Sequence, residues 1–245
     1  MNNITILVQG KLFPETESYI KKYKDLGFSV YLSTYNLSET SADKTILTDI
    51  TAIDKLVTNK VGTTNSAKYQ IISTLSGLKE INTLYTIKIR SDEYYTLDKI
   101  INLFLSNTDK VITHNLFFRP AKYVWGKFHI SDKIILGKTE NLIGMFGTAF
   151  NVITNKIKTN YEPRCAEDLL GYSYLRFKQN VDKNSFYNIN NYFDFINFTD
   201  TAPFCMKFNS LSTEIYTENT KLAEFDDRLW VDVIKDTADI LWKST

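Results

Sequence analysis

Short apolar runs alternate with amphipathic segments of helix length through the first 115 residues of the chain. Residues 4–8 are apolar apart from one threonine and predict a buried strand, and residues 28–32 predict another. Between them, residues 15–26 place tyrosine, isoleucine and leucine on one helical face, and Gly27 is suited to end the helix. This alternation predicts an α/β fold, with a mainly parallel central sheet flanked by helices.

The next strand has a charged end. Residues 84–89 alternate aromatic or apolar side chains with polar ones and predict a strand, and the chain then changes to Arg90, Asp92 and Glu93. In an open α/β sheet, ligands bind in the crevice outside the carboxyl ends of the strands. A carboxylate fixed there can hold a divalent metal against a diphosphate, because hard cations take oxygen ligands. A strand end with ordinary solvated charges is the alternative.

The second half of the chain, residues 116–245, is less regular. Residues 128–137 alternate apolar and polar side chains and predict a strand, and Asp132 is expected at the end of a strand in this segment. Residues 142–150 predict either a helix or a loop. His129 lies in the same segment and is expected to be a structural histidine, with a ligand role as the alternative.

A later helix begins with two acidic residues, Glu167 and Asp168. Residues 225–242 have the apolar spacing of a further helix, and their acidic polar face favours packing on the domain over binding to anionic lipid. No repeat or long linker divides the chain, so we expect a single domain over residues 1–245.

Composition and charge exclude several classes of protein. The formal net charge is only +1, so no basic excess points to nucleic acid. No apolar run approaches the roughly 20 residues of a membrane span, and the start of the chain lacks the pattern of a signal peptide, so a cytoplasmic protein is expected. Cys165 and Cys205 are the only cysteines, which suggests buried reduced thiols in place of a disulfide framework.

Several motifs of known chemistry are missing from the sequence. No Walker loop is present, and Gly10 stands alone after the first strand, so the dinucleotide fingerprint is absent. Two distant cysteines and two histidines predict no zinc cluster, and no Gly-x-Ser-x-Gly elbow supplies a nucleophile. What remains is a set of carboxylates near predicted strand ends and helix starts: Asp92, Glu93, Asp132, Glu167 and Asp168. One set could hold a metal while another deprotonates a hydroxyl, which suits group transfer from a nucleotide-activated donor.

Six short pieces between residues 4 and 175 recur in one known family. They are Val8-Gln9-Gly10, Ser33-Thr34-Tyr35, Gln70-Ile71 with Thr74 and Gly77-Leu78, Lys88 to Asp92, Ile130-Ser131-Asp132 with Gly137, and Glu167. In order and spacing they resemble the WavE-type lipopolysaccharide-synthesis glycosyltransferases, including related domains in large DNA viruses of algae and protists. The resemblance implies a GT-A fold with a Rossmann-like nucleotide half (about residues 1–115), a DxD-type motif and an acceptor half (about residues 116–245).

The chain departs from this family at three positions. Lys11 replaces the usual proline after Gln-Gly, and Tyr35 replaces the usual tryptophan after Ser-Thr. Arg90 stands where a full DxD motif has its first acid. Metal binding therefore rests mainly on Asp92, and a weak dependence on metal is one expectation.

The resemblance implies a hexosyl- or deoxyhexosyltransferase that uses a nucleotide-sugar donor, a glycan acceptor and Mn²⁺ or Mg²⁺. The implied donor-binding residues are Gln9, Gly10, Ser33, Thr34, Asn65, Gln70 and Arg90; the implied metal ligand is Asp92; and the implied base is Glu167, then Asp168, then Asp132. Glu93 is expected to support the site without binding the metal.

Plainer structural roles are open for several of these residues. Ser33 and Thr34 could cap strand ends, Asn65 could cap a helix, and Arg90 could form a surface ion pair. Acidic residues in the first turn of a helix are also favoured by its dipole. A catalytically silent nucleotide- or sugar-binding module on the same fold is the alternative function.

Overall fold

A computed structural model describes most of the chain up to residue 205. The described residues are 3–36, 39–56, 66–114, 128–159, 161, 163, 165–179, 191–196, 198–201 and 204–205. Their elements, in chain order, are β1 (Ile4–Gln9), α1 (Pro14–Asp25), β2 (Ser29–Thr34), β3 (Lys44–Leu47), α2 (Ile50–Leu56), α3 (Ser66–Leu78), β4 (Tyr85–Arg90), β5 (Glu93–Tyr94), α4 (Asp98–Ser106), β6 (Val111–His114), β7 (Ile134–Lys138), α5 (Thr139–Ile153), α6 (Ala166–Gln179), β8 (Phe193–Ile196), a 3-10 helix (Phe198–Thr201) and β9 (Phe204–Cys205).

Seven of the strands form one sheet in the order β3-β2-β1-β4-β7-β6-β8. Neighbouring strands pair in parallel, except that β7 runs antiparallel to both β4 and β6. Strands β5 and β9 form a separate antiparallel pair. The prediction of an α/β fold with a mainly parallel central sheet is therefore confirmed.

Helices cover both faces of the sheet and bury its apolar side chains. Leu7 of β1 packs on one face with residues of α3, α5 and α6, Met145 of α5 among them. Ile6 packs on the opposite face with residues of α1 and α4, including Ile20 and Phe104. Because both faces are covered, β1 is apolar along almost its whole length and does not alternate with polar residues.

The carboxyl ends of three parallel strands meet at one edge of this sheet. Gln9, the last residue of β1, is in register with Ser33 of β2 on one side and with Arg90, the last residue of β4, on the other. Three predicted site residues are thus neighbours across adjacent strands. This edge is where an open α/β sheet forms its ligand crevice.

Strand β7 reaches the same edge from the opposite direction. It is antiparallel to β4, so its first residue, Ile134, pairs with Ile89 near the end of β4. Asp132 comes just before β7 and so lies at this edge. The prediction that Asp132 ends a strand over residues 128–137 is wrong in that respect, because the strand begins only at Ile134.

The other predictions of local structure concern residues 142–150, the C-terminal helix and the extent of the domain. Residues 142–150 lie within α5, so the helical alternative is the one observed. The predicted C-terminal helix over residues 225–242 lies outside the described residues, and the extent of a single domain over residues 1–245 stays a prediction. In the part of the chain that is described, none of the helices has the length and apolar character needed to cross a membrane.

Candidate functional site

Gln9 ties the ends of β1 and β2 to helix α3. Its side-chain Nε2 donates to the Tyr35 hydroxyl at 3.1 Å and to Ser73 Oγ at 2.9 Å. The Ser33 hydroxyl donates to the backbone carbonyl of Ser73 at 2.7 Å. Both Gln9 and Ser33 are buried, so these bonds hold the two predicted donor-binding residues in place beside each other.

Gly10 occupies a position that favours glycine. Its φ is +134°, and a Cβ atom added there would collide with the Ser91 hydroxyl. Thr34 donates from its hydroxyl to Asn36 Oδ1 at 3.1 Å, which supports the turn after β2. The positive φ and the nearby Ser91 hydroxyl together explain why this position requires glycine. The predicted donor-binding residue Asn65 lies outside the described residues.

Arg90 is the centre of a group of carboxylates. Its Nε and Nη2 atoms donate to the two carboxylate oxygens of Asp92, each at 2.9 Å. Its guanidinium also lies 3.6 Å from Glu93 Oε1 and 3.8 Å from Asp132 Oδ2. Burial alone would lower the pKa of Arg90, but the charges of Glu93, Asp132 and Asp92 raise it well above its ordinary value.

Asp132 is an ionised carboxylate held between polar and cationic groups. Its Oδ2 accepts a hydrogen bond from Gln70 Nε2 at 2.7 Å, and its backbone carbonyl accepts one from Lys88 Nζ at 2.6 Å. Burial acts to raise the pKa of Asp132, but Arg90, Lys88 and Lys133 together hold it well below its usual range. The structure thus brings Gln70, Arg90 and Asp132 together, as predicted from three distant parts of the sequence.

Two buried lysines complete the cluster, and both were missed from the sequence. Lys88 lies fully buried in β4, where burial lowers its pKa to about 8 against the opposing pull of Asp132. Lys133 Nζ contacts Glu93 Oε1 at 2.5 Å, and the Tyr95 hydroxyl donates to Glu93 Oε2 at 2.7 Å. A lysine inside a strand covered on both faces is the signal that could have identified Lys88, since such burial requires a charged or polar partner.

Glu167 and Asp168 are adjacent in sequence but have different surroundings. Glu167, in the first turn of α6, is partly exposed; burial raises its pKa, and the charge of Asp132 raises it further. Asp168 is fully buried, and its carboxylate accepts hydrogen bonds from the Phe128 backbone N–H at 2.9 Å and from the Tyr161 hydroxyl. The structure therefore brings Glu167 to the cluster and places Asp168 in a structural contact.

A second group of possible ligands lies beside Glu167. Donor atoms of His129, Cys165 and Glu167 lie within 4.8 Å of one another, a spacing that could accommodate a metal ion. The sequence predicted no zinc cluster from the spacing of its cysteines and histidines, and the fold brings one of each beside Glu167. No local spacing pattern identifies it, because His129 and Cys165 are 36 positions apart and are joined only by the fold.

Comparison with known proteins identifies a family. A family model described as WavE lipopolysaccharide synthesis matches residues 29–160, which is more than half of the chain. The match includes the predicted site residues from Ser33 to Asp132 and ends before Glu167. No protein with a curated description matches the sequence.

Solved structures give remote likenesses. A glycosyltransferase involved in glycosylation of the major capsid of PBCV-1 is 15% identical, covers 79% of this chain and 82% of its own, and has a TM-score of 0.42. HddC from Yersinia pseudotuberculosis, in complex with GMP-PN, is 11% identical over 88% of this chain and 96% of its own, at a TM-score of 0.42. A putative glucose-1-phosphate thymidylyltransferase from Bacillus anthracis is 9% identical, covers 90% of this chain and 95% of its own, and has a TM-score of 0.44.

Proposed function

The chain belongs to the WavE lipopolysaccharide synthesis family, and from that premise we propose that it is a glycosyltransferase. It transfers a hexose or deoxyhexose from a nucleotide-sugar donor to a hydroxyl group of a glycan acceptor. The observation that carries the proposal is the convergence of Gln9, Arg90 and Asp132 at one sheet edge, with Glu167 close enough to interact electrostatically with Asp132. Cations for a diphosphate and carboxylates for a hydroxyl are thereby available in one place.

The donor nucleotide lies, in this proposal, across the ends of β1 and β2. Gly10 lets the backbone approach it closely, while Gln9, Ser33 and Thr34 line the base and ribose pocket. Gln70, on helix α3, lies between this pocket and the carboxylates because it donates to Asp132. These are polar groups that can fix the orientation of a nucleotide.

Positive charge for the leaving nucleoside diphosphate comes from Arg90. Its Nε and Nη2 atoms are engaged by Asp92, so Nη1 is the guanidinium atom that can donate to a phosphate oxygen, and its high pKa keeps the group charged. Lys133 lies close by, because its Nζ contacts Glu93 Oε1, the same oxygen that Arg90 approaches. As the bond between the anomeric carbon and the diphosphate oxygen breaks, the electron pair passes to the diphosphate, and Arg90 stabilises the resulting charge.

Glu167 is the proposed general base. It takes the proton of the acceptor hydroxyl while that oxygen forms the new bond to the anomeric carbon. A partly exposed carboxylate with a raised pKa is suited to hold a proton. Asp132 is less suited, because neighbouring cations lower its pKa and Gln70 occupies one of its oxygens. Asp168 is least suited, because its carboxylate is engaged by Phe128 and Tyr161.

The metal implied by the resemblance, Mn²⁺ or Mg²⁺ at Asp92, does not fit the residues as they stand. Both oxygens of Asp92 accept hydrogen bonds from Arg90, so a cation would have to displace the guanidinium. The steps above involve no metal, since Arg90 supplies the charge directly. The resemblance implies donor binding that depends on Mn²⁺ through Asp92, whereas the pairing of Asp92 with Arg90 predicts no such dependence. Donor binding with and without Mn²⁺, in the wild type and in Asp92→Asn, distinguishes the two.

The experiment is a transfer assay with a panel of nucleotide sugars, in which release of nucleoside diphosphate is measured with and without candidate acceptors. We expect one donor to be consumed and Glu167→Gln to lower turnover by roughly 10²–10⁴-fold with donor binding intact. Glu140→Gln is the matched control, because Glu140 is also an acid in the first turn of a helix but follows the far end of β7. Donor binding without any turnover would support the alternative, a catalytically silent binding module.

A further inference from the structure

Three side chains of different chemistry meet at the start of helix α6. A ring nitrogen of His129, the sulfur of Cys165 and a carboxylate oxygen of Glu167 lie within 4.8 Å of one another, with His129 and Cys165 buried and Glu167 partly exposed. We propose that these three residues bind a zinc ion, with one coordination position open on the side of Glu167. This site goes beyond the transferase chemistry and uses residues that the family motifs do not combine.

The donor set selects the metal. Imidazole nitrogen, thiolate sulfur and carboxylate oxygen are the ligands that hold Zn²⁺ in proteins, whereas Mg²⁺ and Mn²⁺ prefer oxygen. Three protein ligands and an open fourth position form the arrangement in which zinc keeps a water or takes another ligand. The chemistry thus differs from that of the oxygen site predicted at Asp92, and metal selectivity distinguishes the two.

The backbone holds the three ligands in fixed relation. The residues on either side of His129 are tied to α6: the Phe128 N–H donates to Asp168 Oδ1 at 2.9 Å, and the Ile130 N–H donates to the Glu167 carbonyl at 3.4 Å. Gly171 lets the Phe128 carbonyl lie against the helix, since an added Cβ would collide with it. These contacts hold the segment that carries His129 against the helix that carries Glu167.

Cys165 is fixed at the same helix end. It immediately precedes α6, and its carbonyl accepts the Leu169 N–H at 3.0 Å in the first helical turn. A preorganised set of ligands loses little conformational freedom when the ion binds. Binding converts the Cys165 thiol to a thiolate and releases its proton to water, as metal binding by cysteine requires.

The spacing is close to that of a tetrahedral site. Bonds of about 2.0–2.3 Å to zinc place neighbouring ligand atoms roughly 3.3–3.8 Å apart. The observed spread of up to 4.8 Å must therefore close by about 1 Å. Glu167 is the one of the three that is partly exposed, so its side chain has the most room to move.

Zinc binding has a consequence for transfer, and this part rests on the proposed function. If Glu167 is the base that deprotonates the acceptor, coordination to zinc removes its lone pair from that task. Zn²⁺ then acts as an inhibitor of transfer that a chelator reverses. The binding site itself does not depend on this consequence.

Metal binding is tested on the full chain after treatment with a chelator and dialysis. Zn²⁺ is titrated by calorimetry, bound zinc is counted by elemental analysis, and Co²⁺ is used as a spectroscopic probe of thiolate ligation. The variants are Cys165→Ser and His129→Gln, and Cys205→Ser is the matched control because it removes the only other cysteine. Glu167→Gln, at a partly exposed position, carries the test if Cys165→Ser does not fold.

We expect one zinc per chain in the wild type and in Cys205→Ser, and a thiolate-to-cobalt charge-transfer absorption in both. Affinity should fall by at least about tenfold in Cys165→Ser, His129→Gln and Glu167→Gln, since even outer partners of metal ligands contribute that much. Equal zinc affinity in wild type and Cys165→Ser, or a cobalt complex without the thiolate absorption, would overturn the proposal.

The transfer assay separates this proposal from the proposed function. We expect Zn²⁺ to inhibit the wild type and Cys205→Ser, and the concentration for half-inhibition to rise at least about tenfold in Cys165→Ser. Zinc that binds as described but leaves transfer unchanged establishes the site and contradicts the role of Glu167 as base. A chain that transfers sugar but binds no zinc contradicts the site alone.

Discussion

Replacement of Arg90 by lysine tests whether the bidentate pair with Asp92 holds the site together. The guanidinium makes two charge-assisted hydrogen bonds to Asp92, each at 2.9 Å, and Asp92 is buried. An ammonium group keeps the charge but cannot reproduce the planar fork, so at least one bond is lost. A charge-assisted bond contributes about 1.5–3 kcal/mol, so the free energy of unfolding should fall by about that amount.

The assay for this loss is thermal unfolding of Arg90→Lys against the wild type. For a chain of this length, 1 kcal/mol shifts Tm by about 2–4 °C, so a decrease of roughly 3–12 °C is expected. Arg176→Lys is the matched control, because Arg176 donates to the Tyr172 hydroxyl at 2.8 Å and to the Lys158 carbonyl at 3.5 Å, and neither acceptor is a carboxylate. A Tm change for Arg90→Lys no larger than that of the control would refute the reasoning.

The same variant reports on the donor. If Arg90 contacts the diphosphate, Arg90→Lys should weaken binding of a nucleoside diphosphate by about 1–3 kcal/mol, measured by calorimetry on the folded variant. Lower stability with unchanged affinity would make Arg90 a structural residue and place it outside the donor site.

Three further predictions concern single residues. Asp168→Asn should lower stability by about 1–3 kcal/mol in urea denaturation, because it disturbs a fully buried hydrogen-bonded carboxylate, and should leave donor affinity unchanged; loss of donor binding in the folded variant would contradict this. Because Arg90 engages both oxygens of Asp92, donor binding should not depend on Mn²⁺ in the wild type or in Asp92→Asn, and a dependence in the wild type that Asp92→Asn abolishes would contradict this. The pKa of Lys88, about 8 when folded, lies below its value of about 10.4 when unfolded, so the unfolded chain binds more protons in this range. The free energy of unfolding is measured by denaturation for the wild type and for Lys88→Met. The wild-type value relative to that of the variant should rise by about 2 kcal/mol from pH 8 to pH 10, and a flat or falling difference would contradict the pKa assigned to Lys88.

The fold could be predicted from the sequence wherever a local pattern suffices. Alternating strands and helices predicted the α/β class, and the charged residues that follow β4 lie at the carboxyl edge of the sheet, as expected. The direction of β7 could not be predicted, because alternation along residues 128–137 is the same in parallel and antiparallel strands. Asp132 lies at the carboxyl edge of the parallel strands only because β7, which it precedes, runs antiparallel to β4.

The candidate site was predictable only in part. Glu167 and Asp168 are separated by about 100° around the helix, so one contacts the site and the other the core, and only tertiary packing decides which. The sequence identifies Lys88 only as a polar residue of an alternating strand, and its burial could not be predicted, because it follows from the helices that cover both faces of the sheet. His129 and Cys165 are far apart in the sequence and form no recognisable motif, so their proximity depends on the tertiary fold.

Binding of a nucleotide sugar at the edge formed by Gln9, Ser33 and Arg90 is tested most directly by thermal unfolding with a panel of nucleoside diphosphates and their sugars. A ligand at 100 times its Kd stabilises the folded chain by about 2.7 kcal/mol. We expect a saturable rise in Tm of roughly 5–11 °C with one nucleotide sugar, no rise with the corresponding monosaccharide, and a reduced rise in Arg90→Lys. A panel in which no nucleotide or nucleotide sugar raises Tm, or in which Arg90→Lys responds like the wild type, would contradict it.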